Sequence, residues 1–112
     1  MTGSRRPLDE LFGLLADPTR RGVLERLVHE GPHTATELAA GATVTRQCIV
    51  KHLRLLADAH LVVPERDGRD VRYRATTERL ADVVAWLLDN STKWDRRMHR
   101  LQENAAAADL RR

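Results

Sequence analysis

Apolar residues recur every three or four positions along most of the chain, and the breaks in that rhythm divide it into elements. Leu8, Leu11, Phe12, Leu14 and Leu15 form a short, strongly apolar helix; the residues before it, 1–7, combine Gly, Ser, Arg and Pro and are expected to stay mobile. Asp17-Pro18 supplies an N-cap and a first-turn proline for a second helix carried by Val23, Leu24, Leu27 and Val28, with Gly31-Pro32 as its stop. Thr34-Ala-Thr-Glu37 has the spacing of a capping box and predicts a short third helix ending near Ala40. Gly41 to Val44 makes a tight turn, and Thr45 caps a fourth helix that runs towards His60.

Two short helices joined so closely match a helix-turn-helix. The second of them carries Ile49, Leu53, Leu56 and Ala57 on one stripe, while Arg46, Gln47, Lys51 and Arg54 lie off it with chemistry suited to phosphates and base edges. A basic run on a helix is ordinarily a solvated face, so the flanking elements decide its meaning. After His60 the period shortens to two. Leu61 to Arg66, a turn at Asp67-Gly68, and Val71, Tyr73 and Ala75 alternating with Asp70, Arg72 and Arg74 read as a β-hairpin. Arginines at 66, 69, 72 and 74 occupy its polar positions, where they either meet a phosphate backbone or guard an edge strand.

From Thr77 a long helical pattern resumes through Leu80, Val83, Val84, Leu87, Leu88, Trp94, Met98 and Leu101, with Asn90-Ser91 as the place for a bend. Residues 102–112, rich in alanine and charge, extend that helix or fray. The first and last helices carry more apolar surface than a monomer of 112 residues covers. The sequence therefore predicts a homodimer joined through Leu8, Leu11, Phe12, Leu15, Leu80, Val84, Leu87, Trp94 and Leu101.

Length and composition agree with a single folded domain, residues 8–101, that is mainly α with a small hairpin. Hydrophobic residues make up 42% and charged residues 31% of the chain, too apolar for disorder, and 4% aromatics favour packed helices over an aromatic-rich sandwich. The formal charge of +3 permits attraction to an anionic polymer, but its arrangement matters more than its sum. Apart from Lys51 and Lys93 the basic residues are all arginine, whose planar fork suits bidentate phosphate and guanine contacts; GC-rich coding yields the same bias. No window is apolar enough to span a bilayer and no secretory signal opens the chain, so a cytoplasmic location is expected, consistent with a lone Cys48 that has no internal disulfide partner.

In this order of elements, the blocks Leu15-Ala-Asp-Pro-Thr-Arg-Arg21, Thr36-Glu-Leu-Ala39, Thr45 through Leu53, Leu55 through Val62, and Arg66-Asp-Gly-Arg69 with Val71-Arg-Tyr-Arg74 resemble ArsR-type transcriptional regulators. The likeness covers roughly Leu8 to Thr77. It implies a winged helix-turn-helix acting as a symmetric dimer on double-stranded DNA, a repressor at a short palindrome near its own or a neighbouring gene. By position it makes Thr45, Arg46, Gln47, Val50, Lys51 and His52 the DNA-facing surface of the recognition helix, and Arg66, Arg69 and Arg72 the wing contacts to phosphate. Many relatives carry serine where this chain has Val50, which exchanges a polar contact for an apolar one against a thymine methyl.

Control is less legible. Many relatives sense metal through paired cysteines in the third helix or Asp and His ligands on the last; Ala35-Thr-Glu-Leu-Ala-Ala40 has no thiolate, and Asp82, Asp89, Asp95 and His99 lack paired-histidine spacing, so no metal or cofactor is expected. Cys48 reads first as a small packing residue and second as a redox-sensitive thiol beside Arg46 and Lys51. The histidines at 29, 33, 52, 60 and 99 form no cluster and read as surface or cap-adjacent residues. An unidentified small-molecule inducer would act through the dimer helices, near Trp86 and Trp94 if apolar, although core packing is the first task of both tryptophans. No phosphate loop, nucleophile elbow or carboxylate pair supports an enzyme. The alternatives are a non-specific architectural DNA binder, a thiol-responsive repressor using Cys48, and a pure dimerisation module.

Overall fold

The structure, a computed structural model, describes residues 6–76 and 78–110. Its elements follow in the order α1 (Arg6–Ala16), α2 (Pro18–Glu30), β1 (His33–Thr34), α3 (Ala35–Ala40), α4 (Arg46–Asp58), β2 (Val62–Asp67), β3 (Asp70–Ala75) and α5 (Leu80–Leu110). Contact density divides the chain into a unit ending at Ala81 and a second beginning at Asp82, where the sequence predicts one domain to Leu101.

Boundaries in the first unit have local causes. The Asp17 carboxylate accepts from the Arg20 amide at 3.0 Å, and Pro18 sits in the first turn of α2, where its missing N–H would have had no partner anyway. Gly31 closes α2 at φ +89°, a conformation open to glycine, and its amide donates to the Leu27 carbonyl. Thr34 and Glu37 form the complete capping box at α3. At the end of α4 the Leu61 amide donates to the Leu56 carbonyl (2.9 Å) and the His60 amide to Ala57 (3.0 Å), a Schellman-like closure that puts His60 at φ +61°.

The sheet has the order β1-β3-β2, antiparallel throughout. Pairing of β2 with β3 runs from Val62↔Ala75 to Asp67↔Asp70, so the loop is Gly68-Arg69 and not Asp67-Gly68. Gly68, at φ +64°, takes the first loop position, as a II′-type turn requires. The two-residue strand β1, pairing His33 with Tyr73 and Thr34 with Arg72, is absent from the sequence reading because so short a strand shows no period. It ties the hairpin to the start of α3.

Packing in this unit sets α1 on α2, α2 and α3 on α4, and the sheet on α2, α3 and α4. Val23, Leu24, Leu27, Leu38, Ile49, Leu53, Leu56, Leu61 and Val62 are buried. Each such side chain contributes about 1.5–3 kcal/mol. Val28, expected on the same stripe of α2, is exposed. Leu11 corrects the predicted dimer surface: it is fully buried within the single chain and offers nothing to a partner.

The second unit is the body of α5. The helix runs unbroken through Asn90-Ser91, where the sequence places a bend; Asn90 Nδ2 donates to the Trp86 carbonyl and Thr92 Oγ1 to the Leu88 carbonyl, both at 2.9 Å, so these polar groups find acceptors inside the helix. It begins at Leu80 and reaches Leu110, taking in most of the alanine-rich tail. Thr77, where the pattern is expected to resume, lies outside the described residues, as do 1–5 and 111–112; Arg6 and Pro7 already belong to α1. Among the described residues no helix is long and apolar enough to cross a membrane.

Candidate nucleic-acid interface

The N-terminus of α4 is built by two caps. Thr34 and Glu37 set the direction of α3, and after the turn Thr45, at φ −72° and ψ 160°, accepts from the Cys48 amide at 3.2 Å and starts α4. Burying Ile49, Leu53 and Leu56 then rotates the opposite face outward. Thr45, Arg46, Gln47, Lys51 and Arg54 are exposed and Val50 is half-buried. Arg46 is steadied by a hydrogen bond from its Nε to Thr36 Oγ1 at 3.1 Å, which joins the two helices of the motif at their outer rim.

The hairpin stands beside this face. Thr34, Ala35, Thr36, Arg46, Val50, Arg69, Asp70, Val71 and Tyr73 line one cleft of about 280 Å³, so a guanidinium from α4 and one from the wing open on the same recess. Arg66 and Arg69 are exposed, and among the described residues no ion pair engages either. Around that recess Arg46 and Arg69 are the cations and Asp70 the carboxylate, and Lys51, Arg54 and Arg66 add exposed cations on α4 and β2. Such a surface attracts a polyanion and holds it through phosphate contacts.

Two predicted contacts are placed differently. His52 is a correction: it is buried on the Ile49–Leu53–Leu56 side of α4, and its Nδ1 accepts from Arg20 Nε at 3.3 Å, so it does not face outward. Helical spacing contains the reason, because position 52 follows Ile49 by three and precedes Leu56 by four. Arg72 is the second correction. Its Nε meets Asp67 Oδ2 at 3.0 Å and its Nη1 meets Glu37 Oε1 at 2.8 Å, which makes it a strut between wing and α3 in place of an open phosphate donor. The Asp67 hydrogen bond and the Glu37 charge raise the Arg72 pKa above its ordinary value. Glu37 is held below the usual carboxylate value, first by the Thr34 amide and also by Arg72. Arg74 pairs across the strands with Glu65 at 2.9 Å.

The other candidate chemistry stays apart. Cys48 is a half-buried free thiol. His99 pairs with Glu103 at 3.2 Å and Lys93 with Asp89 at 3.0 Å along α5. Among the described residues no three His, Cys, Asp or Glu side chains group to hold a metal ion. Of the residues expected at a dimer surface, Leu8, Leu15 and Leu80 are half-buried, Phe12 is at the margin of exposure, and Val84, Leu87, Trp94 and Leu101 are exposed. Arg20, to which the sequence reading gave no role beyond its place in a matching block, is the residue that this geometry adds.

Known proteins share this arrangement. Residues 15–65, from the end of α1 into β2, match the family model of a helix-turn-helix domain. The chain is 31% identical over 88 residues to the transcriptional repressor SdpR of Bacillus subtilis, covering 79% of this chain and 97% of that one. It is 34% identical over 102 residues to the HTH-type transcriptional regulator CmtR of Mycobacterium bovis, covering 91% and 86% respectively. Among solved structures, an ArsR-like transcriptional regulator from Rhodococcus sp. RHA1 superposes with a TM-score of 0.76 at 34% identity, over 90% of this chain and 94% of the other. With the capped helix pair and the adjoining wing, these likenesses establish that the chain belongs to the ArsR-type winged helix-turn-helix transcriptional regulators, a family of DNA-binding proteins.

Proposed function

We propose that the chain is a homodimeric, metal-independent repressor that binds a short palindrome in double-stranded DNA, each α4 lying in a major groove and each wing against the flanking backbone. The observation that carries this reading is the shared cleft, in which Arg46 and Val50 of α4 face the same recess as Arg69 of the wing. Thr45 and Lys51 suit phosphates, Arg46 a guanine edge, Gln47 an adenine edge and Val50 a thymine methyl, with Arg66 and Arg69 on the wing phosphates. Bound DNA excludes polymerase from the promoter. Pairing of two copies draws support from α5: Leu80, Val84, Leu87, Ser91, Trp94, Met98, Leu101 and Ala105 follow in alternate steps of four and three, the spacing of a helix–helix seam, and Leu87, Trp94 and Leu101 are more than half exposed. A small-molecule inducer would act by changing the angle between the two α4 helices.

The test contrasts two arginines. Arg46→Ala is expected to cost about 1–3 kcal/mol at the preferred duplex and to relax base preference, whereas Arg69→Ala weakens every sequence evenly and lowers the salt slope by about one. Fluorescence-anisotropy titrations of specific and scrambled duplexes across a salt series read both effects. Equal, sequence-blind losses from the two variants would make the protein an architectural DNA binder instead.

A further inference from the structure

Among the described residues one polar side chain is buried, that of His52, at 8% exposure. Its hydrogen-bond partner is Arg20 of α2, 32 positions earlier in the chain. Arginine only donates, so Nδ1 of His52 presents a lone pair and the ring carries its proton on Nε2. The same guanidinium donates from Nη1 to the Leu14 carbonyl at 3.2 Å, and beside it Arg21 Nη1 donates to the Leu15 carbonyl at 2.7 Å. Both carbonyls lie in the last turn of α1, where a helix leaves its acceptors without internal partners. The Arg20 amide is itself held by the Asp17 cap. One side chain, anchored in α2, therefore joins the end of α1 to the buried face of α4.

We infer that Arg20 is a positioning residue for DNA reading: through His52 it fixes the roll of α4 about its own axis, and with it which α4 side chains meet the base edges. The inference rests on the DNA-reading role proposed above. Contacts of Ile49, Leu53 and Leu56 hold α4 against the core but are non-directional and tolerate a small roll. A hydrogen bond is directional and does not. On a helix of about 5–6 Å radius, a roll of roughly 20° moves the outer face by about 2 Å, enough to break a bidentate base contact at Arg46 or Gln47. Long side chains such as Lys51 and Arg54 can follow a phosphate through the same displacement. Arg20 thus acts on specificity, and hardly on sequence-independent affinity. Its second bond makes the end of α1 the fixed point of the lever.

The experiment uses Arg20→Met, His52→Leu and their combination in the full chain, each checked for folding by thermal melting. Affinity is measured at one salt concentration for the duplex the wild type prefers and for a scrambled duplex of equal length. Each single variant is expected to lower the ratio of the two affinities at least tenfold, leaving the scrambled affinity and its salt slope in place, and the double variant no further than the worse single. In ¹⁵N spectra the wild-type His52 ring should show an unprotonated Nδ1 and a protonated Nε2, a pattern that changes in Arg20→Met. Should Arg20→Met fail to fold, His52→Gln decides: its carbonyl can still accept from Arg20 and should keep the ratio that His52→Leu loses. An unchanged ratio in the folded variants, or an equal loss on both duplexes, overturns the inference and leaves the pair merely structural. A wild type that binds both duplexes alike, seen before any variant is compared, overturns the DNA-reading proposal and this inference with it.

Discussion

Helices α4 and α5 are both amphipathic, and they use opposite faces. In α4 the apolar face is spent within the chain: Ile49, Leu53 and Leu56 are at most 1% exposed, and what remains open is Arg46, Gln47 and Lys51. In α5, beyond the half-buried Leu80 and the buried Val83 of its first turn, the apolar face remains open, with Leu87 at 51%, Trp94 at 61% and Leu101 at 53% exposure. Periodicity alone describes both helices equally well and does not tell which face works. Burial does. A covered apolar stripe is a mount for the polar side, whereas an uncovered one of this length is itself a surface for another helix.

The largest expected effect breaks the α5 side of this contrast. Leu87→Asp puts a charge in the middle of the open stripe; sedimentation should show a dimer for the wild type and a monomer for the variant, and operator affinity should fall about 100-fold or more as two linked reading heads become independent. A variant that remains dimeric would remove α5 from the interface. On the α4 side, Leu53→Ala removes a fully buried side chain and should cost about 2–5 kcal/mol of stability by urea unfolding. The corresponding Leu101→Ala change in a monomeric background should cost far less, since that side chain is already half in water.

Smaller effects sharpen the ends of the helices. His60 closes α4 in the left-handed region with an exposed side chain, so His60→Gly should raise stability by about 1 kcal/mol, read as a higher urea midpoint at unchanged slope. Asp17 and Glu37, which begin α2 and α3, have carboxyls held below their ordinary values of 3.8 and 4.5, in each case first by a backbone amide. An unfolded chain binds protons there before the folded one does. Their contribution is complete above those ordinary values and drains away as pH falls through the depressed ones, so thermal melts should weaken on the acid side of about pH 4, and less so in Glu37→Gln.

Much of the fold and part of the candidate site were legible beforehand, for reasons that differ by residue. The Asp17, Thr34 and Thr45 caps are each written within four consecutive positions, and the structure shows each hydrogen bond they imply. Gly68 announces the hairpin, but the loop sits one residue later because pairing extends to Asp67↔Asp70. Contacts between distant segments leave no such mark. The Arg72–Glu37 strut spans 35 positions, so Arg72 reads as one more wing cation until the fold brings α3 beside it. Leu11 is plainly apolar, yet nothing local tells an internal contact from an external one. His52 is the instructive case: its spacing with Ile49 and Leu56 places it on the buried face, while its residue type and its position in the family pattern drew it to the DNA side.

The central claim is that α4 reads bases and that two copies read together. Selection of bound duplexes from a random pool at physiological salt tests it most directly. The predicted result is enrichment of an inverted repeat whose half-site centres lie about 10 base pairs apart. A pool that stays unenriched, or one that yields a single unrepeated site, would contradict it.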